Sequence, residues 1–119
     1  MNTVSINGVD YVPATSVQQQ ATDTEGKPYV IVRSGQAGVF AGYLMERDGD
    51  TVILAESRRI YYWAGAATLS QLAVDGTSKP DGCKFPVALP LHTILGVCEI
   101  LPVSVTAAAS IASVKVWSE

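Results

Sequence analysis

The chain has 119 residues, of which 48% are apolar and 16% charged, and eight Lys and Arg against eleven Asp and Glu give a net charge of −3. That length fits one domain and excludes two full cores, and the apolar content excludes a disordered chain. The acidic balance excludes broad electrostatic binding of nucleic acid, which needs a basic excess to neutralise phosphates, but leaves room for a local pocket of two or three arginines.

In chain order, Asn7-Gly8 lies between the short runs Val4–Ile6 and Val9–Tyr11 and predicts a β-hairpin over residues 1–13. Residues 14–27 are polar, Gln- and Thr-rich and without period, which reads as a loop or linker. One α+β domain is expected over residues 28–119. Pro28–Arg33 is a continuous β-branched and aromatic run, as in a buried strand. Ser34–Gly38 is a turn, Val39–Arg47 a second strand, and Asp48-Gly49-Asp50 a hairpin turn into a third strand, Thr51–Ser57. Arg58–Trp63 is a fourth strand or the continuation of the third. Together these read as an antiparallel meander.

Ala66, Leu69, Leu72 and Ala73 follow helical spacing, so Ala64–Gly76 predicts a short helix with Gly76 as its left-handed cap. Thr77–Pro86 is loop by composition. Leu89–Val103 holds one or two strands interrupted at Gly96, and Thr106–Val114 a second helix capped by Thr106 or Ser104. Val114–Trp117 alternates as a final edge strand would. The expected fold class is therefore α+β: a mostly antiparallel sheet, a meander, with two short helices and an N-terminal hairpin.

Catalytic patterns are sparse. The single histidine, His92, stands in an apolar run and reads as a half-buried strand residue with one hydrogen bond. Cys83, His92 and Cys98 are spaced unlike any compact zinc site, so no metal and no cofactor is expected. Neither cysteine lies in a C-x-x-C pair, the opening carries no leader pattern, and no apolar stretch approaches the roughly 20 residues that cross a bilayer. The expectation is a cytoplasmic protein with free thiols and no membrane contact.

The densest candidate site runs from Arg58 to Gln71. On an extended strand Arg58, Ile60 and Tyr62 share one face and Arg59, Tyr61 and Trp63 the other. Guanidinium forks suit phosphate or carboxylate, rings offer stacking surfaces, and the helix start that follows adds unpaired N–H groups, with Ser70 and Gln71 as neutral contacts. The same residues also make an ordinary packing or oligomer contact, with arginines lying over rings. Arg33 and Ser34 lie in a glycine-rich stretch, Arg33–Gly42, that is either an anion-approaching loop or a hairpin turn with Gly42 at a bulge.

The segments Tyr29–Leu44, Ser57–Pro86, Glu99–Pro102 and Val114–Trp117, above all the Arg-Arg-aromatic stretch running into Leu-Ser-Gln-Leu-Ala, resemble a family of small uncharacterised proteins encoded by tailed phages and prophages. The resemblance implies an accessory phage protein acting in the cytoplasm of an infected bacterium, and it supplies no mechanism. The chain departs from the family pattern at Thr106–Ser113, which carries Ala and Ser where relatives tend to carry Lys and Glu.

Two functions from different classes follow as expectations. The first is a non-catalytic binder that sequesters a small nucleotide-like signalling molecule of host antiviral defence. In it Arg33, Arg58 and Arg59 contact phosphate, Tyr61, Tyr62 and Trp63 stack on a base, and Ser34, Ser70 and Gln71 are further ligand-binding residues, with a homo-oligomer as the assembly. The second is a protein–protein interaction module, either an inhibitor of a host protein or a minor virion component, using the same rings as anchors. Phosphate-ester hydrolysis is the least implausible enzymatic alternative.

Overall fold

The structure, a computed structural model, describes residues 19–119 together with two short strands near the N-terminus, β1 (Val4–Ile6) and β2 (Val9–Tyr11). These two pair antiparallel, Val4 opposite Tyr11 and Ile6 opposite Val9. The Asn7-Gly8 turn expected between them, and residues 14–18 of the expected linker, lie outside the described residues.

The main sheet has five antiparallel strands: β3 (Tyr29–Ser34), β4 (Gly38–Asp48), β5 (Thr51–Arg59), β6 (Leu89–Ile94) and β7 (Val97–Pro102). Their order is β6-β5-β4-β3-β7. Strands β3 to β6 form the expected meander, and β7 returns to the far edge beside β3. With helices α1 (Leu69–Asp75) and α2 (Val105–Ser113), the architecture is the α+β class read from the sequence.

One connection dictates the shape of the sheet. β6 and β7 lie at opposite edges, yet only Leu95 and Gly96 join them. Three residue steps reach about 11 Å at most, whereas the edges of a flat five-stranded sheet stand about 19 Å apart at ~4.8 Å per strand. The sheet must therefore curl into an open barrel. The Val97 amide donates to Asp50 O across 2.8 Å, and the Ser34 hydroxyl donates to Leu95 O at 2.8 Å, which tie the closing turn to both neighbouring hairpins. The inner face buries Val30, Val32, Phe40, Val52, Leu54 and Ile94.

A bulge helps the curl. The β4–β5 register shifts between Ala41 and Tyr43, so Glu56 and Ser57 of β5 together face Gly42. Glu56 is the one described non-glycine residue at positive φ, 52°. A Cβ at Gly42 would stand 2.8 Å from Ala55 O and 3.2 Å from the Ser57 Cα, so the bulged backbone needs a glycine opposite it.

Both helices cover the outer face. The Thr68 hydroxyl accepts from the Gln71 amide to start α1, and Gly76, at φ 78°, ends it. The Ser104 hydroxyl accepts from the Ala107 amide to start α2 and donates to Val74 O at 2.7 Å, joining the helices. Leu72, Phe85, Val103, Ala107 and Ile111 are fully buried between helices and sheet with Tyr29 and Ile31, and each large apolar side chain contributes about 1.5–3 kcal/mol. Burial on both faces explains why β3 reads as an unbroken apolar run. Ala21 is also buried, its amide donating to Val103 O.

Two boundaries differ from the sequence reading. β5 stops at Arg59, opposite Phe40, because β4 offers one further acceptor, Val39 O for the Ile60 amide. The chain then crosses to a single bridge between Tyr62 and Lys84. The helix starts at Leu69 and not at Ala64, since Gly65 sits at φ 81° with its backbone against Ser78 and Lys79. Val114–Trp117 makes one parallel bridge, Val116 to Phe85, in place of an edge strand.

Candidate functional site

The alternation of β5 carries Arg58 and Arg59 to opposite faces of the sheet. Arg58 is 9% exposed and lies beneath the end of α2. Its guanidinium donates to Ile111 O at 2.8 Å, Val114 O at 2.5 Å, Phe85 O at 3.3 Å and Pro86 O at 3.4 Å, and stands 5.4 Å from the Phe85 ring centroid. It closes the open carbonyl end of the helix, where a cation also meets the negative end of the dipole. Burial lowers its pKa from the ordinary arginine value, partly countered by Tyr29. Arg59 instead lies over the Phe40 ring at 4.5 Å and donates to Ala37 O at 2.7 Å. The two guanidinium groups share no hollow.

The other candidate residues scatter further. Arg33 is solvent-exposed and paired with Glu99 at 3.0 Å, a hydrogen bond that raises its pKa. Ser34 is buried and holds the β6–β7 turn. Trp63 is half-buried against the outer-face core and donates its indole N–H to Ala66 O at 3.2 Å. Ser70 is exposed on α1. Gln71 turns its side chain back, its Oε1 accepting from the Ala67 amide at 2.7 Å. The donors expected to greet an anion at the helix start are therefore occupied at Ala67 and Gln71 by the chain's own side chains.

What the structure does assemble is an aromatic platform. Tyr61 is 63% exposed, Tyr62 54% and Trp117 42%. Tyr61 stacks on Trp117 with centroids 5.1 Å apart and planes 11° off parallel. The Lys84 ammonium stands 5.4 Å from the Trp117 ring centroid. Backbone bonds hold the platform: the Lys84 amide donates to Tyr62 O at 2.8 Å, the Tyr61 amide to Lys84 O at 3.1 Å, and the Trp117 amide to Phe85 O at 3.0 Å. Sequence reasoning singled out Tyr61 and Tyr62, and more weakly the two lysines of the Lys79–Pro86 loop, Lys84 among them, but not Trp117. The lone signal was an aromatic ending the alternating Val114–Trp117 segment, and nothing local places it on a ring 56 positions earlier.

His92 is half-buried, its Nδ1 3.0 Å from the Ser57 hydroxyl and its ring edge-on to Phe40 at 4.8 Å. Burial first, and Arg59 second, lower its pKa from the usual imidazole value. Cys83 is buried and Cys98 exposed, both free. Among the described residues no three His, Cys, Asp or Glu side chains are grouped to hold a metal ion, and no helix is long and apolar enough to cross a membrane. A depression of about 230 Å³ lies between the β4–β5 turn and β7, lined by Arg47, Gly49, Val97, Cys98, Glu99 and Ile100.

A family model described as "Domain of unknown function (DUF6948)" matches residues 27–111, and the chain belongs to that family. No curated protein and no solved structure matches it.

Proposed function

We propose that this member of the DUF6948 family is a non-catalytic interaction module that docks a protein partner on the Tyr61–Trp117 platform. The observation that carries the reading is the exposure of two stacked rings, Tyr61 and Trp117, on a backbone already fixed by inter-segment hydrogen bonds. Tyrosine and tryptophan dominate interface hot spots, and rigid rings lose little entropy on binding. Lys84 beside the rings favours a partner segment that presents a carboxylate next to apolar side chains. The resemblance to phage-encoded proteins makes a host protein or a virion component the natural partner.

The nucleotide-sequestering reading puts the guanidinium groups of Arg58 and Arg59 beside the rings as phosphate contacts. Arg58 is committed to carbonyl oxygens beneath α2, and Arg59 lies on the other face of the sheet. That geometry favours the protein partner.

The test is capture from bacterial host lysate on the immobilised chain, followed by titration of the purified partner. Tyr61→Ala and Trp117→Ala each weaken binding by about thirtyfold, on the order of 2 kcal/mol, while Arg33→Ala on the distant β7 side leaves it unchanged. Capture that survives both ring substitutions would sink the reading. A melting shift with a linear or cyclic nucleotide, abolished by Tyr61→Ala or Arg59→Ala, would restore the sequestering function in its place.

A further inference from the structure

We infer that the outer face of β6 is the seam of a symmetric homodimer. β6 is an edge strand of the curled sheet. Alternation places Leu89, Leu91 and Thr93 on one face. Leu91 pairs across to Ala55 and Ala55 to Tyr43, so this is the face that α1 and α2 cover elsewhere in the sheet. Here they do not reach. Leu89 is 46% and Leu91 66% exposed, with Val87, just before the strand, 67% exposed. Ile53 and Ala55 of β5 lie half-buried beside them.

The charge pattern names the occupant. From Phe85 to Cys98 there is no Asp, Glu, Lys or Arg, although the chain carries nineteen such residues, eight basic and eleven acidic. An edge strand in a monomer is ordinarily guarded by charge, and a heterologous partner is steered and oriented by charge. A two-fold interface is different: it sets each group near the axis against its own copy, so any charge there repels itself. A neutral, apolar stripe suits a second copy of this chain. With the axis beside Leu91, that side chain meets its own copy, and the nearest charge on the adjoining strand is the exposed Glu56, between the partners of Leu91 and Leu89. Pro90 has no N–H to give an edge-to-edge ladder, so the copies pack through side chains.

The seam involves none of the platform rings, so the dimer and the docking reading stand or fall separately. Sedimentation velocity on the full chain over a wide concentration range should show a dimer that dissociates on dilution. Leu91→Glu should give monomer at every concentration, with a far-UV spectrum like that of wild type. If that variant does not fold, the Leu89→Gln/Leu91→Gln pair serves in its place. Trp117→Ala should leave the dimer intact. A wild type that stays monomeric at the highest concentration overturns the inference, and so does a dimer that survives the Leu89 and Leu91 substitutions or is lost with Trp117→Ala.

Discussion

Two arginines adjacent in the chain have opposite fates. Arg58 is sealed under the C-terminal turn of α2, with every acceptor around it a main-chain carbonyl. Arg59 lies on the far side of β5 over a single ring, with one hydrogen bond to Ala37 O. Composition alone treats them as equivalent, and either could have been the ligand contact. What separates them is the face that β5 assigns to each. The Glu56–Ser57 bulge sets that assignment, because one extra residue reverses which side every later side chain takes.

The strongest way to break this contrast is to remove each guanidinium while keeping its apolar length. Arg58→Met should cost about 3 kcal/mol of unfolding free energy in urea titration, since it leaves the buried Val114 carbonyl without its donor and takes from the Ile111 carbonyl one of its two. If Arg58→Met and Arg59→Met destabilise equally, the division into structural and surface arginine is mistaken.

Gly42→Ala tests the bulge that creates the division. The added methyl would press on Ala55 O, the Leu54 Cβ and the Ser57 Cα, all β5 atoms beside the bulge. Overpacking of that kind costs about 2 kcal/mol, readable as a lowered urea midpoint with unchanged slope. A neutral result would mean that β5 can slide, and the faces of Arg58 and Arg59 would then not be fixed by register.

How far the contrast was legible depends on where each partner sits in the chain. Local chemistry was readable: the apolar run of β3, the Asp48-Gly49-Asp50 turn, Gly76 ending α1, and Ser104 as one of two candidate caps for α2. The fate of Arg58 was not, because Phe85, Ile111 and Val114 lie 27 to 56 positions downstream. Alternation beyond Arg59 misled, since β4 runs out of acceptors and the strand ends. The curl of the sheet followed from a two-residue connection between opposite edges, and no residue pattern announces which edges will pair. The platform was half legible: its tyrosines stand out by type, but Lys84 and Trp117 join them only through long-range backbone bonds.

Arg59→Met should be far milder than Arg58→Met, about 0.5–1 kcal/mol for the loss of a partly exposed cation over a ring. The variant also carries a finer test, because the cation depresses the pKa of His92, which shares the inner side with Phe40. Folded His92 holds its proton less tightly than the unfolded chain does, so the unfolded state binds more protons just below the ordinary imidazole pKa of about 6.5. Stability from this group is complete above that value and declines as pH falls through the window between it and the lower folded value. Thermal melts of wild type should therefore drop across that acidic window, and His92→Gln should flatten the decline. Arg59→Met should shallow it without abolishing it, because burial is the larger cause of the shift and the cation the smaller. If the slope in Arg59→Met matches wild type, Arg59 does not act on the histidine, and its role on this face reduces to the contact with Phe40.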